Sequence, residues 1–125
     1  MIIVTVEIIE AAAAKHSIPV DLLRAICHAE SSANTWAMRY EPNYSYLFGQ
    51  GLSATEMTAQ KTSWGPCQVM GAVAREYGLK GFLSQLCDPE IGIEYGARHL
   101  AMYFKRYGSW RDAVSAYNAG SPRRN

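Results

Sequence analysis

A carboxylate at the edge of an apolar helix is the feature of this chain with the clearest chemical use. The segment from Leu22 to Ser32 reads Leu-Leu-Arg-Ala-Ile-Cys-His-Ala-Glu-Ser-Ser. Leu22, Leu23, Ile26 and Ala29 recur at helical spacing and predict one apolar face. Glu30 follows where that pattern stops, and Ser31 and Ser32 lead into turn-prone and aromatic residues. A carboxyl on such a seam between core and loop is partly withdrawn from water. Withdrawal disfavours the ionised form, raises the pKa and suits the group to general acid work near neutrality. Other carboxylates have structural explanations. Glu56 completes the capping box Ser53-Ala54-Thr55-Glu56, and Asp88 and Asp112 stand at helix starts. Glu41 lies in an irregular loop.

The elements that must position Glu30 are mostly helices. Ile2, Val6, Ile9 and Ala13 mark one face of a first helix running from Ile2 to about Lys15. Pro19 and Asp21 suit the first turn of a second helix, which carries Leu22 to Glu30. From Ser31 to Leu52 no period is clear. Trp36, Tyr40, Tyr44, Tyr46 and Phe48 fall there, and rings with polar tips suit either a saccharide groove or a cover for the core. A short helix is expected from Ala54 to about Lys61. Ser63-Trp64-Gly65 predicts a tight turn exposing backbone and Ser63. Pro66 then reads as the first residue of a helix ending at Gly78, with Gln68 in its first turn, either solvated or aimed at a ligand. Asp88-Pro89-Glu90 opens a long helix to Tyr107, with Ile91, Tyr95, Leu100, Tyr103 and Phe104 inward and His99 beside them as a structural histidine. Ser109 caps a last helix that ends at Asn118-Ala119-Gly120. At least five helices and no convincing strand predict an all-α fold in a single domain over residues 1–125.

Composition narrows the function. Hydrophobic residues make up 49% and charged residues 18% of 125 residues, an ordinary globular balance, and the net charge of +1 does not suggest a nucleic-acid binder. No apolar run is long enough to span a bilayer, and the N-terminus lacks the basic region of a secretory signal. Synthesis in the cytoplasm without stable membrane insertion is expected. Cys27, Cys67 and Cys87 have no metal-ligand spacing, with His28 and His99 included, and are expected to be reduced, buried thiols.

Three segments together resemble one family. They are Ala29-Glu30-Ser31 after its apolar helix, Gly65-Pro66-Cys67-Gln68-Val69-Met70, and Ala116-Tyr117-Asn118-Ala119-Gly120. In this order, separated by helices, they resemble the lytic transglycosylase domain of the goose-type-lysozyme-like group, especially its small bacteriophage and bacterial versions. The resemblance covers roughly residues 18–120. It implies a lysozyme-like fold with a long aromatic-rich loop after the catalytic helix. It also implies that Glu30 is the catalytic acid and then base, and that Tyr117 approaches it from the last helix. Gln68 and Met70 would line the sugar groove, Asn118 would support the same wall, and Ser63 would bond an N-acetyl group. The implied partner is the peptidoglycan glycan strand, met by a monomer with no metal or cofactor. The implied reaction cleaves the bond from N-acetylmuramic acid to N-acetylglucosamine and leaves a 1,6-anhydro end. Acting on the cell wall without a visible leader implies delivery by a virion or a holin. Cys67 stands where the family often has methionine or another apolar residue. Family domains usually continue with another helix, so a truncated or a reduced version is expected. Three alternatives remain open from the residues alone: a lysozyme that uses water, with Glu41 to place it, a glycan-binding module without catalysis, and a helical interaction domain with no open groove.

Overall fold

The computed structural model describes residues 4–119. The expected helical start at Ile2 and the terminator Gly120 lie outside them. Helix α1 is Val6–Lys15, α2 Val20–Ser31, α3 Ala54–Gln60, α4 Gly71–Glu76, α5 Pro89–Tyr107 and α6 Trp110–Ala119, with a 3₁₀ turn at Leu83–Cys87. The fold is mainly helical and lysozyme-like, as the sequence predicts. Its helix starts follow capping chemistry. Thr5, Ser53 and Asp88 side chains accept the backbone N–H of Ile8, Glu56 and Glu90, and Ser109 accepts that of Asp112. Pro19 precedes α2 rather than starting it, and its carbonyl accepts from Leu22 and Leu23.

The expectation of no strand is overturned. Three short strands, β1 Met38–Tyr40, β2 Thr62–Trp64 and β3 Val69–Met70, form an antiparallel sheet in that order. Strands of two or three residues show no alternation long enough to read. The helix expected from Pro66 is corrected with them: α4 begins only at Gly71. Gly65-Pro66-Cys67-Gln68 is instead the turn between β2 and β3, closed by the Gln68 N–H on the Gly65 carbonyl at 3.1 Å. Proline suits the second place of such a turn as well as the first turn of a helix. Gly65 has φ +79, and a Cβ there would lie 2.1 Å from the Leu86 carbonyl oxygen, so only glycine fits.

Helix α5 is the central strut. It packs on α1 and α6, while α1 also packs on α2. Leu23, Ile26, Leu86, Ile93, Ala97, Leu100, Ala113 and Ala116 are buried at its flanks. The inward side of α5 is therefore Gly92, Ile93, Gly96, Ala97, Leu100 and Tyr103, whereas Ile91, Tyr95 and Phe104 are half-buried. The aromatic loop is pinned from below by buried Gln60. Its side chain accepts the Phe48 N–H at 2.7 Å and donates to the Phe48 carbonyl at 2.9 Å. Trp36, Tyr40, Tyr46 and Phe48 remain exposed.

Candidate active site

The buried stripe of α2 is Leu23, Ile26 and Cys27, and Ala29, expected inward, is exposed. The next position on that stripe is Glu30. Helical spacing thus carries the carboxylate onto the apolar face at the helix end, where it is half-buried. Burial raises its pKa above the usual glutamate value, and the Arg39 guanidinium opposes that rise. The negative end of the α2 dipole pushes in the same direction as burial. The helix stops abruptly because Ser32 and Ala33 both adopt left-handed backbone, with φ 54 and 62. The hydroxyl of Ser31 lies 2.7 Å from the Pro66 carbonyl oxygen, to which it donates, and ties this helix end to the β2–β3 turn.

The sheet supplies a second wall. Arg39 pairs with Ser63, and Ser63 with Met70, so these three side chains share one face. Arg39 is the charged group that acts on Glu30, opposing the rise of its pKa through space. Ser63 is buried, not exposed as the sequence suggested. Its hydroxyl donates to Gln68 Oε1 at 2.9 Å. The Gln68 amide nitrogen donates to the carbonyls of Ala37 and Gly65 at 3.1 and 3.0 Å. Both ends of that amide brace the turn, in which Gln68 itself is left-handed at φ 51. Met70 is half-buried at the end of β3.

The third wall comes from α6. The Tyr117 hydroxyl donates to the Cys67 carbonyl at 2.7 Å, and its ring lies 5.4 Å from the His99 ring. Burial first, and then the nearby Cys67 and Glu30 charges, hold the phenol pKa well above its usual value, so it stays protonated. Asn118, the neighbouring residue, is exposed. The structure therefore joins Ser63 to Gln68 directly and sets Met70 in their row. It brings Tyr117 within electrostatic reach of Glu30, with the Cys67 peptide as the atom group Tyr117 touches.

Two contributors escaped the sequence reading. Arg39 gave no signal because β1 was not legible. Ser31 was visible as the residue after Glu30, but its bond to Pro66 needs the turn. Of the other carboxylates weighed from the sequence, Glu41 pairs with Arg39 at 3.0 Å, and Glu56 with Arg75 at 2.8 Å. On the opposite face of the sheet Met38, Thr62 and Trp64, with Ala54, Thr55, Thr58 and Ala59 of α3, line a shallow depression of about 410 Å³ that does not include Glu30.

Comparison with known proteins gives this arrangement a family. The chain is 36% identical over 105 residues to proteins named X polypeptide, one from Escherichia coli and another from its strain K12, covering 84% of this chain. It spans about half the length of these relatives, 54% in each. No solved structure matches it. The profile of the transglycosylase SLT domain matches residues 7–125, and the chain belongs to that family.

Proposed function

We propose that the protein is a peptidoglycan lytic transglycosylase that uses Glu30 as its acid and base. Membership of the family supports a glycan-cleaving transglycosylase acting on peptidoglycan. The observation that supports the finer reading is the half-buried place of Glu30 at the end of α2. Burial there raises its pKa, as a general acid requires, and Arg39 opposes the rise. Most glycosidases that use water or a covalent intermediate place a second carboxylate beside the scissile bond. A transglycosylase needs only one.

Protonated Glu30 donates to the glycosidic oxygen as the N-acetylglucosamine hydroxyl departs. The acetamido oxygen of the muramoyl residue bonds to C1 and carries the developing charge. Ionised Glu30 then takes the proton from the muramoyl 6-hydroxyl. That oxygen attacks C1, the acetamido oxygen leaves, and the 1,6-anhydro ring closes without added water. Proton transfer and ring closure require no metal or cofactor. Met70 and Asn118 would contact the sugar, Ser63 and Gln68 would hold the turn beneath it, and Tyr117 would fix that turn through Cys67. The whole chain, residues 1–125, is read as one such domain working as a monomer on glycan strands, not on nucleic acid and not inserted in a membrane. Its place of action is the cell wall.

Mass spectrometry of the products from purified peptidoglycan tests this. Fragments ending in 1,6-anhydromuramic acid, lighter by one water than reducing ends, are expected. Glu30→Gln should lower the rate by about a hundredfold or more. Reducing ends would overturn the lyase reading, and binding without cleavage would leave a glycan-binding module.

A further inference from the structure

Cys27 and Cys67 are two buried thiols that the proposed chemistry does not use. Their sulfurs lie 3.5 Å apart, and the residues are 1% and 0% exposed. Both sit at the site. Cys27 is one helical turn before Glu30, and Cys67 is the turn residue whose carbonyl receives Tyr117. The Cys67 sulfur has no room to retreat. Helix α5 passes it at Gly96, where a Cβ would fall 2.6 Å from Sγ. The two chain segments are already held together by Ser31 on the Pro66 carbonyl. A disulfide needs sulfurs about 2.05 Å apart, so bonding requires them to close by about 1.5 Å.

We infer that Cys27 and Cys67 are a covalent cross-linking site, forming a disulfide that staples the Glu30 helix to the β2–β3 turn when the chain folds in the presence of a disulfide oxidant. The oxidant is a small or protein disulfide. The Cys27 thiolate attacks one of its sulfurs and releases one thiol, leaving a mixed disulfide. The Cys67 thiolate then attacks the Cys27 sulfur and releases the second thiol. The two cysteines lose two electrons and two protons, and the oxidant is reduced to two thiols. Exchange takes place before the sulfurs are buried. Cys87 lies beneath Gly65 and stays a free thiol. Relevance of the bridge to an enzyme working outside the cytoplasm rests on the cell-wall reading, but its formation does not.

The test is refolding of the reduced, unfolded full chain in a buffer of reduced and oxidised glutathione. Maleimide labelling under denaturing conditions then counts thiols by mass. One label is expected after oxidative refolding and three after refolding with dithiothreitol. Peptide mapping should recover Cys27 joined to Cys67. Closing a loop of 40 residues should raise the melting temperature by roughly 10 °C, reversed by dithiothreitol. Cys87→Ser should keep the bridge and Cys27→Ser should lose it. Three labels after oxidative refolding, or a bridge that includes Cys87, would overturn the inference. The count on the unmodified chain decides even where a variant does not fold, and it is independent of any glycan cleavage.

Discussion

Glu30 is poised between an environment that protonates it and a cation that ionises it. Burial at the end of α2 favours the neutral acid, and Arg39 across the sheet favours the carboxylate. Under the proposed mechanism, the balance sets the pH at which the free enzyme loses its proton donor. Removing the cation removes the downward pull, so the Glu30 pKa rises further in Arg39→Ala. The alkaline limb of the kcat/KM profile should move to higher pH, because that limb reports the acid of the free enzyme. The Arg39 side chain is 77% exposed, and salt screens a charge so placed. Wild type and variant should therefore converge at high ionic strength. Superimposed limbs at low salt would show that Arg39 does not tune this carboxylate.

At the scale of elements, the aromatic loop and the sheet depend on one polar junction between α3 and α4. Glu56 receives Arg75 through two bonds, Nε at 2.8 Å and Nη2 at 2.9 Å, and Gln60 through a third at 2.8 Å. Gln60 in turn holds Phe48. The Arg75 bonds, against the cost of burial, keep the Glu56 pKa below the usual value. Its contribution to stability is therefore present above the ordinary glutamate pKa and is lost as pH falls through the lowered one. Glu56→Gln should destabilise by about 1–3 kcal/mol at neutral pH, and the gap should close in strong acid. Denaturant midpoints of the two proteins across that range measure it. This junction also shows what was legible. Ser53 as a cap could be read from sequence, because capping is local. The reciprocal bond expected of Glu56 is absent, because Arg75, 19 residues away, claims the carboxylate. Pro66 failed for a similar reason. Its ring suits two local structures, and the choice was made by Leu86 packing over Gly65. Glu30, Tyr117 and the Gln68 turn could be found as motifs. Their assembly was implied only by the family resemblance, and the sheet that brings in Arg39 was not legible, since β1 is three residues long and carries no period.

Across the whole molecule, one line of contacts runs from α4 to the site. The Tyr77 hydroxyl lies 2.8 Å from His99 Nδ1, His99 packs on Tyr103 and Tyr117, and Tyr117 reaches the turn at Cys67. His99 is thus a keystone among three helices rather than a proton carrier. Burial, and next the charge of Arg106, lower its pKa to about 4. The folded protein keeps this ring neutral, while the unfolded chain protonates it near the ordinary value of about 6.5. Between those values the unfolded state binds the extra proton. The stability His99 confers is therefore whole above the ordinary value and drains away as pH falls toward the lowered one. Integrated over that window, the loss is up to about 3 kcal/mol. His99→Gln retains an acceptor for Tyr77 but does not titrate. It should be less stable than wild type at neutral pH and lose much less on acidification. The difference between the two unfolding free energies, followed by urea denaturation from neutral pH down to about 4, should narrow steadily. Parallel curves would mean that His99 is not held neutral, and the line from Tyr77 to Cys67 would then lack its central support.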